Sequence, residues 1–264
     1  MNLAVSLRFL ATVVVLGTSS APPVLAQSCL PFGPGEILTY GIRVATMGAK
    51  GQTRMWVTGP ELIRGRTTIA LRSEASVGVG FLNGSDRTVS WLDPLTFAAL
   101  RFTQHERHII ARSSDSVEIY PEERRWERSG SRRGVIASDA PLDVLSFIYF
   151  LRTLPFQIDS SWTFNRHFDD ARNPTTVRVV GRDTISTPAG RFPVWSVEMR
   201  VRDKEHYGGD GVIKLLFSDD SRHLPVRIQS VMPIVGTTVM TLAAVAHDTG
   251  SPCPLVADSR IPRR

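Results

Sequence analysis

The residues best suited to chemistry are few and scattered. His105 and His108 stand three apart in HERH, a spacing that would put both imidazoles on one side of a helix. The segment alternates like a strand, which points them to opposite faces, so no metal pair is expected. The longer zinc-protease pattern H-E-x-x-H is absent, and two cysteines near opposite ends, Cys29 and Cys253, do not make a zinc ribbon. Asp169-Asp170 and Asp219-Asp220 are paired carboxylates, but as neighbours at turns they read as solvated groups rather than as an acid and a base set across a substrate. There is no G-x-S-x-G elbow, phosphate loop or dinucleotide fingerprint, and His167, His206 and His223 have no partner that the sequence can place beside them. No catalytic residue, metal or cofactor is therefore expected. A hydrolase using Asp143 or the Asp219-Asp220 turn stays as an alternative.

The element that must position any site is 138–156, SDAPLDVLSFIYFLRTLPF, the one internal segment with a helical pattern. Ser138 or Asp139 can cap its first turn, Pro141 suits that turn because it has no N–H to waste, and Pro155 stops it. Leu142, Leu145, Phe147, Ile148, Phe150 and Leu151 surround most of the cylinder, so the helix must be covered on more than one side. The apolar run is shorter than the about 20 residues of a membrane span and is bounded by Asp143 and Arg152.

The rest reads as strands. Leu38, Tyr40, Ile42 and Val44 alternate with polar residues, as do Trp195, Val197, Met199 and Val201, and Leu224, Val226 and Ile228. Thr187-Pro188-Ala189-Gly190 and Ser218-Asp219-Asp220-Ser221 read as turns. Glu61 to Ser73 reads as one strand. The arginine-rich stretch 96–133 has Glu and Asp interleaved, which marks the wet faces of long strands. The fold class is mainly β: a curved antiparallel sheet or open barrel around one central buried helix. A helix about 10 Å wide is too narrow to fill a sheet of roughly ten strands. Tyr40, Tyr149, Trp195 and Met199 are therefore the candidate lining of a site for an apolar or lipid-like ligand.

The first 26 of the 264 residues resemble an export signal: Arg8, the apolar run FLATVVVL and Val-Leu-Ala before Gln27. The mature protein is then periplasmic or secreted, with one β-rich domain over 33–247 and a loose tail over 248–264. In an oxidising compartment Cys29 and Cys253 read as a disulfide; lipidation of Cys29 is the competing use, although Ala26 stands where a lipobox has leucine. The net charge is +6, with Lys50, Lys204 and Lys214 the only lysines among 31 basic residues. Export argues against nucleic acid as a partner, while a basic exterior favours peripheral contact with anionic lipid or polysaccharide. Envelope proteins are the other partner class, through strand addition at a sheet edge.

Three stretches together, DVLSFIYFLRTLP (143–155), TPAGRF (187–192) and SDDSRHLPVRI (218–228), with GEILTYGIRVATMGAKG (35–51), resemble the bacterial domain of unknown function family 3108. The resemblance spans about 33–247 and implies an exported, predominantly antiparallel β protein with no established activity. Its recurring Asp143, Ser146, Tyr149 and Arg152 fall on one helical face and read as a buried polar seam between helix and sheet. Gly190, Asp220 and Pro225 read as structural residues of its turns.

Overall fold

The computed structural model describes residues 30–45, 48–79, 82–107, 112–130, 132–233 and 236–247. The segment expected to direct export, Cys29, Cys253, the expected tail and His108 lie outside them.

Fourteen strands form one sheet: β1 (Glu36–Val44), β2 (Ala49–Ile63), β3 (Arg66–Val79), β4 (Leu82–Asp93), β5 (Ala98–Arg107), β6 (Arg112–Tyr120), β7 (Arg125–Arg128), β8 (Arg132–Val135), β9 (Ser161–Phe164), β10 (Thr175–Thr187), β11 (Gly190–Asp203), β12 (Gly209–Ser218), β13 (Pro225–Met232) and β14 (Gly236–His247). Their order is β8-β7-β6-β5-β4-β3-β2-β1-β14-β13-β12-β11-β10-β9. The first eight strands thus run outward from β1 and the last six run back to it, where β14 pairs antiparallel with β1. Helix α1 (Val144–Leu151) lies between β8 and β9 in the chain and carries it from one margin of the sheet to the other. The short helix α2 (Lys204–Tyr207) follows β11.

The two margins are stitched together beside α1. Leu142 forms an isolated parallel bridge with His167: the Leu142 amide donates to the Arg166 carbonyl at 2.6 Å, and the Phe168 amide donates to the Leu142 carbonyl at 2.9 Å. The Ala99 amide of β5 adds a bond to the Pro141 carbonyl at 2.8 Å, so a short backbone seam ties the segments that follow β8 and β9 to each other and to β5. One apolar core runs between the concave face and α1, with Leu38, Met55 and Leu71 on one side, Val197, Leu215 and Val226 on the other, and Leu145, Phe147 and Leu151 from the helix. Burying each such side chain contributes about 1.5–3 kcal/mol. A smaller core packs Phe168, from the segment after β9, on Phe102, Val117, Ile119 and Trp126.

The helix differs from the sequence expectation. It covers eight residues rather than most of 138–156, and its cap is Asp143 rather than Ser138 or Asp139. Ser138 instead holds the Ala140 amide in a tight turn, Asp139 pairs with Arg124, and Pro141 serves the seam through its carbonyl. Eight residues are below the about 12–15 that an isolated helix needs, so capping and burial must supply its stability. The helix is also less evenly covered than its composition implies: Val144 is exposed and Ile148 is only partly buried. Among the described residues no helix is long and apolar enough to cross a membrane.

The span 61–73 is a hairpin rather than one strand, because the chain reverses at Arg64-Gly65. Both residues have positive φ, +48° and +78°, which the right-handed twist of paired strands favours in a two-residue turn. The arginine-rich region does form strand faces, where Arg101 bonds Glu118 at 2.5 Å and Arg125 bonds Glu123 and Glu127.

Candidate functional site: the polar ladder of the buried helix

Asp143, Ser146, Tyr149 and Arg152 climb one face of α1, and all four are buried. At the lower end the Asp143 carboxylate accepts from the amides of Leu145 and Ser146, both at 2.9 Å, while the Ser146 hydroxyl lies 2.9 Å from the Asp143 amide. This reciprocal capping box satisfies donors that a helix start leaves bare. The second carboxylate oxygen accepts from the Ser90 hydroxyl of β4, tying the helix start to the sheet. Burial pushes the Asp143 carboxyl above its ordinary range, although the bonds from Ser90, Ser146 and Leu145 oppose the rise.

At the upper end Arg152 makes a forked pair with Glu36, at 2.6 and 2.8 Å, with both side chains almost fully buried. Its Nε donates to the Arg222 carbonyl at 3.1 Å, and its Nη2, one of the two nitrogens that hold Glu36, also donates to the Pro31 carbonyl at 2.9 Å. The guanidinium also lies over the rings of Phe32 and Tyr149, at 5.1 and 5.4 Å. Burial alone would lower the Arg152 pKa, but the bonds and charge of Glu36 outweigh it and raise the value.

The turn 219–224 closes over this end. Asp220 accepts from the Ser218 hydroxyl at 2.8 Å and the Arg222 amide at 3.0 Å; burial would raise its pKa, but these bonds and the Arg222 charge lower it. The Leu224 amide donates to Ser218 Oγ at 2.7 Å, and His223 Nδ1 contacts the Arg152 carbonyl at 2.9 Å. Pro225 then opens β13, buried opposite Phe217. Three of the stretches that carry the family resemblance, around Glu36, 143–155 and 218–228, thus converge on Arg152. The fourth is more remote: Gly190 has φ +132°, which favours glycine, and closes a turn in which the Ala189 amide donates to Thr187 Oγ1 at 3.1 Å.

Between the two anchors lie Tyr40, from β1, and Tyr149. Both hydroxyls are buried and have no hydrogen-bond partner among the described residues. Burial pushes both phenols upward; each raises or feels the field of its neighbours, with Tyr149 adding to the rise at Tyr40 and the Glu36 charge adding at Tyr149. These are buried polar groups without a bond beside a buried ion pair.

The proposed ligand lining is placed as follows. Tyr40, Tyr149, Trp195 and Met199 all belong to the main core, and none of them borders either of two surface clefts described below. They pack with side chains of the helix and the sheet in that core. The alternative acids are committed elsewhere: Asp143 caps the helix and Asp219 pairs with Arg182. Glu36 was missed by sequence reading, although it continues the inward alternation of Leu38, Tyr40 and Ile42 by one step.

A curled antiparallel sheet tied by a short seam and pinned to one short buried helix defines a barrel-like β protein. The chain belongs to the family described as a protein of unknown function, DUF3108, whose model matches residues 38–243. Among solved structures it is similar to a β-barrel-like protein of domain of unknown function DUF1849 from Brucella abortus, with a TM-score of 0.54 at 10% identity, covering 81% of this chain and 98% of that one. This likeness is one of fold. Two others are a candidate exported protein with a YmcC-like fold from Bacteroides fragilis (TM-score 0.33, 12% identity, 82% and 98% covered) and a candidate lipoprotein from Parabacteroides distasonis (0.32, 12%, 83% and 100%). No curated protein matches the chain.

Proposed function

We propose that this is a non-catalytic, exported binding protein of the cell envelope, whose ligand is an apolar, lipid-like molecule with one polar end. The observation that carries this reading is the pair of unpartnered hydroxyls of Tyr40 and Tyr149 inside the core. A buried hydroxyl without a bond costs about 1–3 kcal/mol, so a fold that keeps two of them together forgoes stability that phenylalanine would supply. A polar head between them, with the tail along the row that includes Trp195 and Met199, would complete both. Entry requires α1 to move away from the sheet, and its partly exposed outer face is consistent with an element that can do so. Strand addition fits less well, because the terminal strands β8 and β9 are four residues each and the segments beside them bond to one another. The export signal supports the compartment; the mature protein is expected to begin at Gln27 by N-terminal sequencing, and a start at acylated Cys29 would move it to a membrane surface instead.

The test is the double variant Tyr40→Phe, Tyr149→Phe. In delipidated protein it is expected to unfold at higher denaturant, with a gain of about 2–6 kcal/mol in stability, because two buried penalties of about 1–3 kcal/mol each are removed. Saturable binding of a fluorescent fatty-acid probe is expected in the parent and at least about tenfold weaker in the variant, the loss of two hydrogen bonds to the polar head. A more stable variant, with no probe binding by either protein, would leave the hydroxyls a purely internal feature and overturn the reading.

A further inference from the structure

A second concavity, independent of the buried tyrosines, lies where the curl of the sheet brings distant segments together. It has a volume of about 520 Å³, within the usual range for ligand sites, and is lined by Arg128 and Arg132, by Asp169, Ala171 and Arg172 of the 3-10 turn after β9, and by Arg202, Asp203 and Lys204 at the β11–α2 junction. None of these residues belongs to α1 or to the Glu36–Arg152 pair.

Five cations face two carboxylates, and both carboxylates have structural work. Asp203 is buried and pairs with Arg172 at 3.1 Å, and Asp169 caps the 3-10 turn by accepting from the Ala171 amide at 3.2 Å. Arg128 leans on Asp115 at 3.2 Å, yet its buried Nε has no well-directed hydrogen-bond acceptor. Arg202 meets Asp210 only at 3.8 Å with both side chains largely in solvent, an arrangement worth little. Arg132 and Lys204 have no ion-pair partner among the described residues and are exposed. Among the described residues three cations, Arg132 of β8 with Arg202 and Lys204 at the β11–α2 junction, are thus left over in one cleft, where concave, low-dielectric walls concentrate their field.

The protein supplies its own comparison. A cleft of about 480 Å³ on β3–β6 is lined by Arg87, Arg107 and Arg112 against Glu74, Asp86 and Glu106, so its fixed charges cancel apart from His105. The surplus in the first cleft is therefore not a uniform property of an arginine-rich surface.

We infer that the cleft of Arg128, Arg132, Arg202 and Lys204 binds a phosphate monoester. Guanidinium forks match the several oxygens of a phosphate dianion, and a lysine adds a point charge; a monocarboxylate offers only two oxygens to the same set. The phosphate can be carried by a free metabolite-sized molecule or by the headgroup of an anionic lipid.

Glycerol 3-phosphate, titrated calorimetrically at low salt, and vesicles of phosphatidylcholine with and without phosphatidic acid, read by co-sedimentation, separate these sources. Binding of both probes assigns a site for the phosphate itself, and binding of the vesicles alone assigns a headgroup site. The variant Arg132→Glu, Lys204→Glu, both exposed positions, is expected to weaken the positive interaction at least about tenfold while its melting temperature stays near that of the parent. Arg107→Glu, Arg112→Glu makes the same change of net charge at the balanced cleft and is expected to weaken it no more than about twofold. Equal losses in the two variants would reduce the effect to net charge and overturn the assignment, as would failure of the parent to bind either probe.

Discussion

Replacing Arg152 with methionine is expected to lower the stability of the protein by about 3–5 kcal/mol, read as a shift in the urea midpoint with an unchanged slope. The side chain has no exposed surface and holds Glu36 with two bonds, so its removal strands a carboxylate in the core at the foot of β1. It also leaves the carbonyls of Pro31 and Arg222 without their donor, which loosens the segment before β1 and leaves the 219–224 turn only the His223 contact to the Arg152 carbonyl. Against a typical total of about 5–15 kcal/mol, one such loss removes a large share of the stability. Adding Glu36→Leu to the same variant should restore more than half of the loss, because the unpaired charge is then gone and an apolar pair fills similar space. Restoration should stop short of the parent, since the two carbonyls remain unbonded. If the single variant were as stable as the parent, the pair would be incidental to the packing of α1.

Much of this arrangement was legible. The alternation of Leu38, Tyr40, Ile42 and Val44 reports the concave face of β1 directly, because every second residue of a half-buried strand must be apolar. The ladder Asp143, Ser146, Tyr149, Arg152 was equally visible as a polar stripe on an apolar helix, and such a stripe must be bonded if it is buried. What the chain order hides is the partner. Glu36 lies 116 residues from Arg152, and only the closure of the sheet brings them together. An acid on an inward-facing step of β1 was nevertheless a signal in its own right, because it demands a buried cation. The helix boundary was misread because propensity extends across 138–156, whereas Asp143 and Ser146 together form a cap strong enough to start the helix later. The cationic cleft could not be read at all: its residues come from β7, β8, the turn after β9 and the β11–α2 junction, and along the sequence each looks like part of an ordinary solvated face.

The seam residue His167 should make the protein acid-sensitive in a way that one substitution removes. Its Nδ1 faces both the Asp169 amide, at 3.0 Å, and the Asp169 carbonyl, at 3.2 Å, while Nε2 is a buried atom with no bonding partner among the described residues. Burial, reinforced by the positive charge of Arg172, pushes the ring pKa down to about 3; the backbone of Asp169 and the charge of Asp203 pull upward without prevailing. In the unfolded chain the same imidazole takes a proton near pH 6.5. Between those values the unfolded state binds the extra proton, so the stabilising contribution is whole above about pH 6.5 and drains away as the pH falls, at up to about 1.4 kcal/mol per pH unit. His223, whose pKa is also lowered by burial, adds a slope of the same sign. His167→Asn keeps an acceptor for the Asp169 amide and abolishes only the first of these slopes, at the cost of the ring contact with Phe168. From pH 6.5 to pH 5, where ordinary carboxylates are still ionised, the parent is expected to lose about 2 kcal/mol more than the variant in urea unfolding. Comparing slopes rather than absolute stabilities separates the proton from the lost packing. Parallel slopes would mean that the folded protein admits the proton at this position, and that the Leu142–His167 bridge opens before the rest of the sheet.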